Sequence, residues 1–437
     1  MKNKVIVIGG GLAGSEAVYQ LAKRGVNVIL YEMRPYKTTP AHKTDKFGEL
    51  VCSNSLKSTD IYNANGLLKY ELKLLDSLIL KAAEYSRIDN SIALVVDREK
   101  FSEYITNIIK SFENVRIIRE EVLEIPRDEI VIVATGPLTS KNLSENIKEL
   151  VGEEYLSFYD AVSPIVDGDT LNYEKLFWAD RFSDEGNYLN APLNKEEYEN
   201  FVNELIKAEK IEIHDFEKNI NFFEGCLPIE EMARRGLDTL RFGPMNPKNL
   251  IDSRTNKEPY AVVQLRPENK DKTAFSLVGF QTQMKWNEQK RIFRLIPGLE
   301  NAEFLRYGVI HRNTFIKSPL ILKQTLQMKN YENIFFAGQI TGVEGYVPST
   351  ATGLIAGINA YRLLKNEKPI YPSRHTMTGA LLYYITHENI KYFQPMNANF
   401  GLFVDIPRNL KGKSKKEFII QRAKLEFEKF LLDFYAL

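Results

Sequence analysis

"KVIVIGGGLAGSEAVYQLAKRGVNVILYEMRP", residues 4–35, reads as strand, tight turn, helix, strand. The apolar run Val5 to Ile8 is a buried strand, and the following helix is predicted from about Leu12 to Arg24, with Leu12, Val18 and Leu21 on its apolar side. Gly25 closes that helix as a left-handed cap, and Val28 to Tyr31 forms the second strand. The glycines at 9, 11 and 14 match G-x-G-x-x-G in the strand–turn–helix context the motif needs. Gly9 makes the turn, Gly11 lets a pyrophosphate approach the backbone, and Gly14 lets helix and strand pack closely. Gly9, Gly10, Gly11, Leu12, Ala13 and Gly14 are therefore the candidate dinucleotide loop, with the helix N-terminus offering unpaired N–H groups to phosphate. Glu32 ends the second strand, placed to bind a ribose 2′-hydroxyl. A carboxylate there repels a 2′-phosphate, so the loop suits FAD or NAD rather than NADP.

A segment near the other end separates those two. "NIFFAGQITGVEGYVPSTATGLIAGINAYRLL", residues 333–364, reads as a strand, a glycine-punctuated loop and a long helix rich in small residues. It is similar to the late segment of two-lobed FAD-dependent flavoproteins, where the strand ends beside the flavin and the next helix N-terminus faces the ring or ribityl chain. Such a helix end stabilises a negatively charged reduced flavin. Gly338, Gln339 and Gly353 join the candidate cofactor residues, and Gly342 and Gly345 share the close approach. "EIVIVATGPLTS", residues 129–140, adds an inner strand and turn of the same class. No second G-x-G-x-x-G marks a separate nicotinamide domain. FAD is the expected cofactor.

The bulk numbers fit an ordinary globular chain of 437 residues, with 44% apolar and 26% charged side chains. Lys and Arg total 58 against 57 Asp and Glu, so no global field draws in nucleic acid and a polyanion must be held by a local patch. The N-terminus runs straight into a strand, which predicts no signal peptide, and no apolar run reaches the length of a membrane span. A cytoplasmic protein with no membrane partner is the expectation. Five histidines, at 42, 214, 311, 375 and 387, show no metal-ligand spacing, and no metal is expected.

The two cysteines, Cys52 and Cys226, form neither a disulfide framework nor a zinc knuckle. In "VCSNSLKS", Ser53, Asn54 or Ser55 can cap a helix entering at Leu56, which would leave Cys52 within about a turn of its N-terminus. In "FFEGCLPIEEMARRG", Pro228 suits a first helical turn, Glu230 and Glu231 suit its positive end, and Arg234, Arg235 and Gly236 suit its close. Cys226 stands just before that start. Helix N-termini favour thiolate, so both thiols are candidates for redox or covalent catalysis, against the alternative of packing cysteines.

"GGGLAGSEA", "TPAHKTDKFGELVCSNSLKS", "DREKF", "ATGPLTS", "FFEGCLPIEEMARRG", "RFGPMNP", "GFQTQMKW", "FLRYGVIHRNTFI", "FFAGQITGVEGY" and "FQPMNANFGL" follow one another along nearly the whole chain. In this order they resemble the folate- and FAD-dependent tRNA (uracil-5-)-methyltransferases, the TrmFO family of GidA-related flavoproteins. The resemblance implies methylation of uridine C5 in RNA, in the T-loop of tRNA or in 23S ribosomal RNA as in a paralogous branch. It implies 5,10-methylenetetrahydrofolate as methylene donor, FAD as redox cofactor and NADH or NADPH as reductant. It also implies both cysteines as catalytic residues. One thiolate adds at C6 so that C5 becomes nucleophilic, and the other removes the C5 proton or guards the flavin; which does which stays open. Two stretches depart from the family pattern: "RIDNSIALVVDREKF" after Arg87, and Val347-Pro348-Ser349 after "EGY". Both bear on cofactor or folate contacts.

The fold expected is α/β: a discontinuous Rossmann-type FAD-binding domain, GidA-like and two-lobed, with an inserted α+β domain. Residues 1–160 and 305–375 would form the FAD-binding domain, 161–304 the insertion, and 376–437 a helical segment packed on the first. "YAVVQLR" and "AFSLVGFQTQM" alternate as antiparallel strands, and "KEEYENFVNELIKAEK" reads as a helix. RNA must be gripped at its phosphates and its target base extruded. Arg234, Arg235, Arg241 and Lys248 are the first candidates; "HRNTFIK" at 311–317 and the run Lys411, Lys413, Lys415 and Lys416 are others. His311 is a candidate for either the core or catalysis. A monomer or weak dimer is expected. Two rival readings are a flavin oxidoreductase acting on a small molecule and a non-catalytic RNA-binding flavoprotein.

Overall fold

A computed structural model describes the chain apart from residues 1–3, 40, 153–154, 162, 182–185, 212–226, 268–271, 273, 309, 388–392, 394, 408 and 436–437; of 155–161 and 310–313 it describes the backbone alone. Its centre is a five-stranded sheet in the order Ile334–Phe336, Ile130–Val133, Lys4–Ile8, Asn27–Tyr31, Val115–Ile118, every pair parallel. Val5 faces Val28 on one side and Ile130 on the other. Val5, Val7, Val131, Ile132 and Phe335 have no exposed surface, as strands covered on both faces require. The glycine loop and the late segment thus come from neighbouring parts of one sheet.

The Leu12–Ala22 helix is buried on every side and crosses the Tyr346–Leu364 helix. Small residues set that crossing. A Cβ on Gly353 would lie 2.2 Å from the Ala13 carbonyl oxygen, and one on Gly357 would lie 3.0 Å from the Ala17 Cα. Gly353, expected at the cofactor, serves here as the contact point of two helices.

A second sheet has six antiparallel strands in the order Phe304–Arg306, Ile165–Asp167, Ala274–Leu277, Ala261–Pro267, Tyr188–Leu193, Phe177–Ala179. The two strands foreseen from alternation pair with Leu265 opposite Leu277. The foreseen helix spans Lys195–Lys207 and starts in a capping box of Asn194 and Glu197. One apolar cluster joins residues between Val5 and Ile147 to others between Phe315 and Phe434, and another gathers residues between Val166 and Ala302. Tyr155–Ala161 pairs antiparallel with Ile310–Ile316 where the chain passes between them.

The helix expected to enter at Leu56 does not form. Ser55–Ser58 is a strand paired with Ala93–Val95, and the next helix, Ala64–Leu74, is capped by Asn63. Asn54 is taken by distant partners instead of a cap: its Nδ2 donates to the Val96 and Pro267 carbonyls, and its Oδ1 accepts from Arg266 Nε. The departing stretch after Arg87 supplies that partner strand, with Arg87 holding the Asp89 and Ser91 carbonyls.

Two buried glutamates cap helices other than their own. Glu16 accepts from Ser77 Oγ and from the N–H groups of Leu78 and Ile79 at the start of Leu78–Tyr85. Glu71 accepts the Met377 and Thr378 N–H groups and Thr378 Oγ1, each at 2.7 Å, at the start of Met377–His387. Among the described residues no helix is long and apolar enough to cross a membrane.

Candidate active site

Two cavities meet at the C-terminal edge of the parallel sheet, where ligands of open α/β sheets bind. The first spans about 1000 Å³, part of it open to solvent. It is lined by Gly9, Gly10, Gly11, Leu12 and Ala13, by Glu32, by Ala134 to Ser140, and by Gly338 and Gln339. Each glycine of the motif meets a different demand. Gly9 has φ +101°, and a Cβ there would lie 2.6 Å from the Ala134 oxygen; a Cβ on Gly14 would lie 1.8 Å from the Gly9 oxygen. A Cβ on Gly11 would meet nothing within 4 Å except the cavity itself. Gly11 is the N-cap of Leu12–Ala22 and offers no side-chain acceptor to the first turn. An open cradle beside uncapped helical N–H groups fits the pyrophosphate of a dinucleotide.

Glu32 is already engaged. Its Oε2 accepts from the Gly10 N–H at 2.9 Å, and Arg34 grips both its oxygens at 3.0 Å. Arg34 in turn reaches Glu49 at 3.0 Å. Burial alone would raise the Glu32 pKa, but the hydrogen bonds and charge of Arg34 hold it below the usual carboxylate range. A bidentate partner fixes the carboxylate, so the edge facing the cavity is oriented before any ribose arrives.

The second cavity, about 780 Å³, is lined by Cys52, Ser53, Lys57, Asn65, Gln281, Glu344, Gly345, Val347 and Pro348 among others. It shares Gln339 and Tyr346 with the first. Tyr346 opens the Tyr346–Leu364 helix after Gly345, whose φ of +97° turns the chain. Its buried hydroxyl accepts the Cys52 N–H at 2.8 Å and the Ser53 N–H at 3.0 Å. Burial, then the neighbouring charge of Cys52, pushes that phenol's pKa up, so it stays protonated. Pro348 sits in the first helical turn, where its missing N–H has no helical partner to lose.

Two arginines complete the Cys52 loop. Arg98 donates to the Leu50 carbonyl and, at 3.1 Å, to the Cys52 carbonyl. Arg306 donates to the carbonyls of Val51, Cys52 and Ser163 at 3.0 to 3.1 Å. Cys52 is thus half-buried beside the start of a helix, but a helix about 290 residues further on rather than one at Leu56. Sequence reading missed Arg98, Arg306 and Tyr346 in this role, although each stands in a quoted motif, "DREKF", "FLRYG" or "VEGY".

Cys226 and the side chain of His311 lie outside the described residues. The helix after Cys226 does form, as Ile229–Arg234 following Pro228. Arg234, Arg235 and Lys248 are exposed. Arg241 is occupied: its Nε donates to the Tyr260 carbonyl, its NH1 pairs with Asp238 at 3.1 Å, and its guanidinium lies 3.8 Å from the Tyr260 ring centroid. It braces the protein's own structure and is poorly placed to meet phosphate. Among the described residues no cluster of His, Cys, Asp or Glu is placed to hold a metal ion.

Residues 4–368 match the family described as Glucose inhibited division protein A. A relative from Dictyoglomus turgidum, named methylenetetrahydrofolate--tRNA-(uracil-5-)-methyltransferase TrmFO, is 56% identical over 428 residues, 97% of each chain. The chain belongs to the TrmFO family. A family member from Aquifex aeolicus with the same name is likewise 56% identical, over 99% of this chain and 97% of its own. The fold is that of the solved Aquifex aeolicus GidA structure, with a TM-score of 0.67 at 19% identity over 97% of this chain and 73% of that one.

Proposed function

We propose that this protein transfers a one-carbon unit from 5,10-methylenetetrahydrofolate to C5 of a uridine in tRNA, with FAD in the cavity lined by the glycine loop and NADH or NADPH as the external reductant. The observation that carries this reading is the junction of the two cavities: a dinucleotide cradle and a chamber holding Cys52 share Gln339 and Tyr346. The names of relatives 53–56% identical along almost the whole chain supply the substrate class.

Gly9 to Ala13 would hold the pyrophosphate, Glu32 the ribose, and Gly338 and Gln339 the flavin end. When bound, FAD supplies the electrons that bring a methylene to the level of a methyl group. The chain's own work is to make C5 nucleophilic. The Cys52 sulfur adds to C6 or removes the C5 proton, and Cys226 is assigned the other role. Addition at C6 breaks the C5–C6 double bond and places the electron pair at C5; elimination restores the ring once the C5 proton has gone. Arg98, Arg306 and Tyr346 fix the backbone on both sides of the sulfur, which holds it in place against the base.

The test is incubation of purified protein with unmodified total RNA, methylenetetrahydrofolate and NADH or NADPH, then measurement of 5-methyluridine in separated tRNA and rRNA. Product in tRNA is expected. Product confined to rRNA overturns the substrate, and none in either overturns the reaction.

A further inference from the structure

We propose that a lysine surface formed by the start of the C-terminal helix and the loop after the Ser55–Ser58 strand is the phosphate grip that carries tRNA to the Cys52 cavity. This rests on the function proposed above and adds where the RNA lies. The Gly412–Tyr435 helix begins in "KGKSKKE", with Lys411, Lys413, Lys415 and Lys416 all exposed and no acidic residue in its first turn. Positive side chains at a helix N-terminus stand against its dipole, where anions are favoured. Lysines there add positive charge to the positive end of the dipole, so this surface attracts an anion.

The position of this cluster argues for RNA. Lys413 and Lys416 share a surface hollow with Gly412 and Tyr62, whose side chain is 41% exposed. Tyr62 lies on the loop between the Ser55–Ser58 strand and the Ala64–Leu74 helix, and that strand carries exposed Lys57, which lines the Cys52 cavity. One continuous segment therefore runs from the sulfur to the lysine cluster. Under it, buried Lys69 donates to the carbonyls of Ser58 and Asn65, and burial together with the charges of Lys57 and Lys73 lowers its pKa to about 7. Of the carboxylates on these segments, Asp60 accepts the Tyr62 N–H and Glu417 pairs with Lys413 at 3.9 Å, so they offset part of the lysine charge. A row of ammonium groups with an exposed aromatic ring beside a cavity for a base is the chemistry of a single-stranded or looped RNA. The Arg234, Arg235 and Lys248 patch reaches the Cys52 cavity only through the backbone, the Gln281 carbonyl of the cavity lining accepting the Ile229 N–H at 2.8 Å, and among the described residues none of its three side chains lines either cavity.

The test is equilibrium binding of unmodified tRNA to the flavin-loaded protein at several salt concentrations, which reads RNA contact without turnover. Simultaneous Lys413→Ala, Lys415→Ala and Lys416→Ala substitution is expected to weaken binding about tenfold or more and to lower the salt slope by about two to three, close to one per lost phosphate contact. Flavin absorbance and melting temperature should match the parent, and arginine at the same positions should restore binding. If the parent protein binds tRNA and the triple variant matches it in affinity and slope, the surface is wrong although the function stands. If the parent does not bind tRNA, the functional reading itself falls.

Discussion

At the scale of single residues, the two ends of the glycine motif separate fold from ligand. Gly14→Ala places a Cβ against the Gly9 carbonyl and should cost about 3 kcal/mol of stability, seen as a lower melting temperature with or without flavin. Gly11→Ala enters open space at an ordinary backbone angle, so the fold should shift by less than about 1 kcal/mol while flavin is lost on gel filtration. Equal melting losses for the two variants would contradict this division. Cys52→Ala should lower 5-methyluridine formation by at least about a thousandfold with flavin retained. Tyr346→Phe leaves the Cys52 and Ser53 N–H groups without their acceptor; about tenfold slower turnover with unchanged flavin absorbance is expected. The motif glycines were legible because their duties concern atoms within one strand–turn–helix. Tyr346, Arg98 and Arg306 were not, because their partners lie tens to hundreds of residues away and leave no local pattern.

At the scale of elements, local reading succeeded where an element's own side chains decide it. The strand at 4–8, the helix after Pro228 and the helix at 195–207 could be read from their own residues, although distant partners also hold the first two. It failed at Ser55–Ser58, where three good capping residues suggested a helix. There Asn54 gains more from Val96, Pro267 and Arg266 than from a cap, and the Ala93–Val95 strand supplies backbone partners. Tertiary context overrode propensity. The Met377–His387 helix shows the opposite case, a helix capped by Glu71 from another element. Burial, offset only in part by the bonds from Thr378 and Met377, raises the Glu71 pKa to about 7. The folded state therefore holds that proton more tightly than the unfolded chain, and this contribution to stability falls as pH rises from about 4.5 to about 7. Glu71→Gln cannot lose a proton. Across that window its unfolding free energy should gain on the parent's by up to about 3 kcal/mol, measured by denaturant titration at each pH. A difference that does not change with pH would refute the assignment.

At the scale of the whole molecule, we propose the division suggested by the sequence: residues 1–160 and 305–375 around the parallel sheet, 161–304 as an insertion, and 376–437 packed on the first. Asn54 and Arg306 tie the insertion to the Cys52 loop, through Arg266, Pro267 and Ser163. Asn54→Ala removes three hydrogen bonds, two of them buried, and should destabilise by about 3 kcal/mol. Calorimetry should then resolve two unfolding transitions in place of one; a single transition at the parent's temperature would count against the tie. The crossing of the two long helices has a consequence for synthesis. Ala13 leaves the ribosome early, but its partner Gly353 emerges only when four-fifths of the chain has been translated. Until then the nucleotide cradle lacks its far wall, so a growing polypeptide carries an open, apolar sheet edge for most of its time on the ribosome. Flavin can lock the product only near the end of translation, once both walls of the cradle have been made.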